Sequence, residues 1–206
     1  MGYGSLIMVT GGARSGKSRL AEELAAAGSA KVVYLATATV GDAEMAARVD
    51  MHRRRRPADW QTVEAPLAVT EAVAREGQRG GTTIILDSLG MWISNLLSQE
   101  TTEAEDSWEK NTAAIEAIMV KIRELAAVAR QVPARVIIVT EEVGMGLIPP
   151  YPLGRVFRDL LGLANQEIAR QADQVYLVVA GLPLVLKDTK EDATFGEELL
   201  RKYKGN

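Results

Sequence analysis

Gly11-Gly12-Ala13-Arg14-Ser15-Gly16-Lys17-Ser18 satisfies the spacing G-x-x-x-x-G-K-[ST] and stands between two segments of different periodicity. Before it, Leu6-Ile7-Met8-Val9-Thr10 is a short apolar run that reads as a buried strand; after it, Arg19 to Ala26 reads as a helix. Strand, glycine-rich turn and helix are the context in which this spacing binds phosphate. The glycines let the backbone fold round a polyphosphate with its N–H groups inward, and the positive end of the helix dipole adds to the attraction. Lys17 then reaches the β- and γ-phosphates, and the Ser18 hydroxyl holds Mg²⁺.

Outward from that loop the chain alternates between strand and helix patterns. Lys31 to Thr37 reads as a second strand, apolar on both faces as in a parallel sheet covered by helices. Gly41 and Asp42 open a helix that carries Met45, Val49 and His52 on one face. Arg53-Arg54-Arg55-Arg56 follows and Pro57 ends it. Trp60 to Glu64 fits a short strand, Leu67 to Arg75 a helix, and Thr82 to Asp87 a buried strand whose carboxyl end carries the acid expected of a Mg²⁺ ligand. A long amphipathic helix is predicted over Thr102 to Gln131, then a strand over Arg135 to Thr140 and a glycine-rich loop from Glu141. Pro149, Pro150 and Pro152 are read as keeping the chain extended. A helix through Val156 to Ile168, a strand over Gln174 to Val179 and an edge strand at Leu184 to Leu186 complete the pattern.

This alternation predicts an α/β fold of the P-loop NTPase class, a RecA-like, mostly parallel sheet with helices on both faces. Residues 1–187 are expected to form one domain, with 188–206 a C-terminal tail or short surface helix. Ligands gather at the carboxyl ends of the strands in such sheets, so the phosphate loop, Thr37, Asp87 and the loop after Glu141 should converge on one crevice.

Composition narrows the chemistry. The 206 residues contain no cysteine and one histidine, which excludes a thiol nucleophile, a cysteine zinc site and a histidine-rich metal site. A net charge of -3 argues against a dedicated nucleic-acid binder. The most apolar segment, Val175 to Leu186, is broken by Gly181 and Pro183 and is shorter than the roughly 20 residues that span a bilayer, so no membrane insertion and a cytoplasmic location are expected. His52 beside four arginines is the second chemical signal: a partly shielded imidazole next to cations that bind phosphate bidentately. Imidazole attacks phosphorus to form a phosphoramidate, which splits one difficult transfer into two easier ones. On residues alone, a small-molecule kinase with a structural His52 and a RecA-like assembly ATPase stay open.

Four stretches make the reading specific: VTGGARSGKSR (Val9 to Arg19), EMAARVDMHRRRRPADW (Glu44 to Trp60), LGMWISNLL (Leu89 to Leu97) and VTEEVGMGLIPPYPLGRVFRDLLGLANQEIA (Val139 to Ala169). Through them the chain resembles the bifunctional adenosylcobinamide kinase / adenosylcobinamide-phosphate guanylyltransferase family of cobalamin biosynthesis, over nearly all of residues 5 to 187. The resemblance implies phosphorylation of adenosylcobinamide with ATP or GTP. It then implies transfer of GMP from GTP, through a guanylylated histidine, to adenosylcobinamide phosphate. His52 matches the family's nucleophile, and Met51 stands where relatives often carry a first histidine. The implied nucleotide contacts are Gly11 to Ser18, Ala36, Thr37, Ala38, Arg53, Arg54, Arg55, Arg56, Glu64 and Asp87, with Ser18 and Asp87 on Mg²⁺. Glu141 stands where relatives carry Asn. Glu142 lies at a strand end suited to a general base for the kinase step, or else anchors the glycine-rich loop. A homotrimer is also implied.

Overall fold

The computed structural model describes residues 4–28, 31–39, 56–100 and 108–189. The helix expected before Pro57, with His52 and Arg53 to Arg55, lies outside them, as does most of the C-terminal tail. The described elements are β1 (Leu6–Gly11), α1 (Lys17–Ala26), β2 (Lys31–Ala36), β3 (Gln61–Glu64), α2 (Val69–Glu76), β4 (Thr82–Asp87), α3 (Leu89–Glu100), α4 (Trp108–Gln131), β5 (Arg135–Glu141), α5 (Pro152–Gln171), β6 (Gln174–Val179) and β7 (Leu182–Asp188).

The seven strands form one sheet in the order β3-β2-β4-β5-β1-β6-β7, parallel except for β7, which pairs antiparallel to β6. β1, β2, β4 and β5 are buried along most of their length because side chains of alternating direction meet helices on each face. Leu6, Met8, Val33, Leu35, Ile84 and Leu86 pack on one face with residues of α2, α3, α4 and α5. Ile7, Val9, Val32, Tyr34, Ile85 and Val139 pack on the other with Leu20, Ala21, Leu24 and Ala25 of α1.

The topology locates the crevice. From β1 the chain crosses through α1 to β2 on one side, whereas from β5 it crosses through α5, on the opposite face, to β6 beyond β1. β1 and β5 pair directly, with Gly11 opposite Glu141, so their carboxyl ends form the switch point at which open α/β sheets bind ligands.

Three readings are corrected. Pro152 does not prolong the extended segment but opens α5, because a proline in the first turn lacks only an N–H that would have no helical partner. α3 was not foreseen: Leu89, Trp92, Ile93, Leu96 and Leu97 are buried, and a helix so largely apolar shows little polar face to reveal its period. β7 takes in Asp188, one residue of the expected tail, and Thr189 N–H bonds the Asp173 carbonyl at 3.0 Å.

Asp173 ties the amino end of β1 to the helix layer. Its Oδ2 accepts the Leu6 N–H at 2.8 Å, its own N–H donates to the Leu6 carbonyl at 2.8 Å, and Oδ1 ion-pairs with Arg130 of α4. Asp173→Ala orphans a donor next to the core and is expected to cost about 2 kcal/mol, read as a lower denaturant midpoint at unchanged slope.

Candidate nucleotide site at the carboxyl edge of the sheet

The phosphate loop leaves β1 with Arg14 at φ 55° and Gly16 at φ 102°, both left-handed, while Ser15 N–H bonds the Gly12 carbonyl at 3.2 Å. Gly16 is required twice over. It adopts a φ that side chains disfavour, and a Cβ there would stand 3.3 Å from the Gly181 Cα. Gly181 N–H in turn donates to the Ser15 carbonyl at 2.8 Å, so the turn between β6 and β7 supports the loop from behind. Gly16 caps α1 without any side-chain hydrogen bond. The N–H groups of the first turn therefore remain available to an anion.

Lys17 is 9% exposed; its Nζ lies 3.7 Å from Glu141 Oε1 and 3.4 Å from the Gly12 carbonyl. Glu141 ends β5, with its carbonyl held at 2.9 Å by Asn165 of α5, whose side-chain oxygen accepts the Thr140 hydroxyl at 2.6 Å. The Glu141 Oε2 is shielded from solvent and has no hydrogen-bond partner among the described residues. Gly90 permits this placement, since a Cβ there would collide with that oxygen. Burial pushes the Glu141 carboxyl above its usual range, and Lys17 pulls it back in part. The sequence marks Glu141 as the start of the glycine-rich loop and as a departure from the family pattern; its meeting with Lys17 depends on the β1–β5 pairing. Glu142 takes the other of its two foreseen roles: both of its oxygens accept the Gly144 N–H, at 2.8 and 3.0 Å.

Asp87 ends β4, in register with Ala36, which is itself in register with Glu64 at the end of β3. These three positions thus lie at one level of the edge. The Tyr34 hydroxyl donates to Asp87 Oδ2 at 2.5 Å, and the Arg56 guanidinium lies 3.3 Å from the centroid of the Tyr34 ring. Thr37 is fully buried; its Oγ1 donates to the Ser88 carbonyl at 2.9 Å and accepts the Ser88 N–H at 2.8 Å. Asn95 of α3 donates to the carbonyls of Thr37 and Pro66, at 2.8 and 2.9 Å. The unforeseen α3 therefore sets where Ala36 and Ala38 emerge at the edge. Glu64 is exposed.

Tyr34 and the core residue Tyr176 give the fold a pH dependence. Burial, with nearby Asp188, pushes the Tyr176 phenol up to about 12; burial, then Asp87, raises that of Tyr34. A raised folded value means that the contribution to stability is complete below the unfolded value near 10 and is lost as pH climbs through the folded one. In an alkaline titration followed by tyrosinate absorbance, Tyr34→Phe and Tyr176→Phe should each remove amplitude from the phase that coincides with unfolding. Loss from an earlier phase would contradict the assignment.

A cleft of about 840 Å³ opens beside the loop, lined on one side by Arg14, Lys17, Ser18 and Glu22, and on the other by Pro57 and Trp60. Among the described residues no helix is long and apolar enough to cross a membrane, and no cluster of three or more His, Cys, Asp or Glu is arranged to hold a metal.

Comparison with known proteins agrees with this architecture. In fold, the chain is similar to a Pyrococcus horikoshii OT3 structure described as a structural study of project PH0250, with TM-score 0.53, 9% identity, and coverage of 93% of this chain and 90% of that one. It is also similar to the ATP synthase subunit NeqB of Nanoarcheaum equitans, with TM-score 0.55 and 12% identity, covering 98% of this chain and 56% of that one. In sequence it is 40% identical over 183 residues to the bifunctional adenosylcobalamin biosynthesis protein CobU of Escherichia coli (strain K12), covering 88% of this chain and 99% of the relative. It is 41% identical over 180 residues to the corresponding CobP of Pseudomonas aeruginosa, covering 87% and 96%. The family model "Cobinamide kinase / cobinamide phosphate guanyltransferase" matches residues 7–186, and so the chain, from β1 into β7, belongs to that family of bifunctional cobalamin-biosynthesis enzymes.

Proposed function

We propose that this chain carries out both reactions for which its family is named. It phosphorylates the aminopropanol hydroxyl of adenosylcobinamide with ATP or GTP. It then transfers GMP from GTP through His52 to adenosylcobinamide phosphate, giving adenosylcobinamide-GDP. In the second reaction an imidazole nitrogen attacks the α-phosphorus and pyrophosphate departs with the electrons of the broken P–O bond. A phosphate oxygen of the corrinoid then displaces the imidazole, which is restored.

The observation that carries this reading is the cleft. Its one wall is the phosphate loop with Lys17 and Ser18, and its other is Pro57 and Trp60, which follow directly on His52 and the arginine run. Pro57 lies five positions after His52, so the imidazole is tethered within about 18 Å of that wall. The loop N–H groups and Lys17 bind the β- and γ-phosphates, and Arg53 to Arg56 offset charge that grows on departing pyrophosphate. Ala36, Ala38, Glu64 and Asp87 line the same edge and take the remaining nucleotide contacts.

Mg²⁺ suits the donors present. It binds through one or two carboxylates together with substrate phosphates, and Asp87 stands at the strand end with only one oxygen bonded by Tyr34. Ser18 and Asp87 would hold it, and bound there it would neutralise charge between phosphate oxygens. The continuous sheet from Leu6 to Asp188 supports one catalytic domain over residues 1–187 with Asp188 added as the last residue of β7. A cytoplasmic homotrimer completes the proposal. Assembly is supported by β7, which among the described residues pairs on one side only and has Leu182, Leu184 and Leu186 each 57% exposed.

The test uses two labels. With adenosylcobinamide and γ-labelled nucleotide, label should pass to the corrinoid; with the phosphorylated corrinoid and α-labelled GTP, it should pass again. Transfer of the first label without the second would leave a kinase alone, and transfer of neither would overturn the proposal.

A further inference from the structure

Among the described residues a second group of large apolar side chains is exposed, in the loop between β5 and α5: Met145 at 84%, Leu147 at 95%, Ile148 at 74% and Tyr151 at 63%. This loop is held in place rather than slack. Glu142 binds the Gly144 N–H, Arg158 donates to the Gly144 carbonyl at 2.8 Å, and Arg155 donates to the carbonyls of Pro149 and Pro150 at 3.2 and 3.0 Å. Two prolines further restrict its backbone. The loop is also continuous with the nucleotide site. Its root is Glu141, beside Lys17, and the Glu142 N–H bonds the Gly11 carbonyl at 3.1 Å. Leu147 is six residues from Glu141, within about 20 Å of chain.

We propose that Met145, Leu147, Ile148 and Tyr151 form the platform on which the corrin macrocycle of the substrate rests, its aminopropanol arm reaching past Glu141 to the phosphates at Lys17. The inference rests on the function proposed above. A corrin is a broad ring fringed with methyl groups, and it needs an apolar surface next to the phosphate cradle that no nucleotide requires. Ordered apolar side chains beside a polar cleft meet that need, with Tyr151 supplying an aromatic face. A second copy of the chain is the competing occupant. Unlike β7, this proline-interrupted loop offers no strand edge for such a contact.

The test is Leu147→Asn combined with Ile148→Asn in the full chain, compared with Val120→Asn, an exposed apolar site on α4. Equilibrium dialysis of cobinamide is read by corrin absorbance, nucleotide affinity is measured alongside, and sedimentation gives the assembly state. Cobinamide affinity should fall about tenfold or more in the double variant, as expected when two large apolar contacts are removed, with nucleotide affinity and assembly unchanged and the Val120 variant like the parent. Unchanged cobinamide affinity overturns the proposal, and so does dissociation of the assembly, which would assign the face to a second copy. If the parent chain binds nucleotide but no cobinamide, the functional reading fails first and the platform falls with it.

Discussion

His52→Ala is expected to abolish the covalent adduct that forms when the protein meets Mg²⁺ and GTP labelled at the α-phosphate, while transfer of the γ-phosphate to adenosylcobinamide continues within about twofold. The adduct of the parent chain should be acid-labile and base-stable, as a phosphorus–nitrogen bond is. The all-or-none character follows from the inventory of nucleophiles: the chain has one histidine and no cysteine, so no second imidazole or thiol can stand in. The kinase step is expected to survive because the parts proposed for it, the loop, Lys17 and the edge carboxylates, lie on β1, α1, β4 and β5. Label retained on the His52→Ala protein would move the nucleophile elsewhere.

Lys17→Ala should have an equally large effect on the other half of the chemistry. Removing one preorganised charge aimed at a transferring phosphoryl group costs on the order of a hundred- to a thousandfold in rate. Here the loss is compounded, because Glu141 Oε1 sits 3.7 Å from Lys17 Nζ and its carboxylate would face the triphosphate uncompensated. Lys17→Ala combined with Glu141→Gln should therefore recover about tenfold in triphosphate affinity over Lys17→Ala alone, a coupling that a double-mutant cycle measures. Additive losses would mean that Glu141 does not sense the lysine, and undiminished nucleotide binding in Lys17→Ala would remove the loop from the site.

The strand-and-helix sequence was legible wherever a periodic pattern had a polar face to contrast with, as in α1 and α5. It was illegible in α3, whose contacts with Thr37, Pro66 and Leu67 only the packed sheet reveals. The site divides in the same way. Lys17, Ser18 and Asp87 are candidates by motif or by place at a strand end. Tyr34 read merely as a strand residue, because its bond to Asp87 and its contact with Arg56 span distant parts of the chain.

What the sequence determined by itself was local: a phosphate loop between a buried strand and a helix, an alternating α/β order, and a chain whose single histidine stands beside four arginines. Those features follow from backbone geometry and side-chain periodicity within a dozen residues. The tertiary structure decided which of two adjacent carboxylates meets the lysine. Parallel pairing sets Gly11 against Glu141, so Glu141 meets Lys17, while Glu142, just past the end of β5, turns back to hold its own loop.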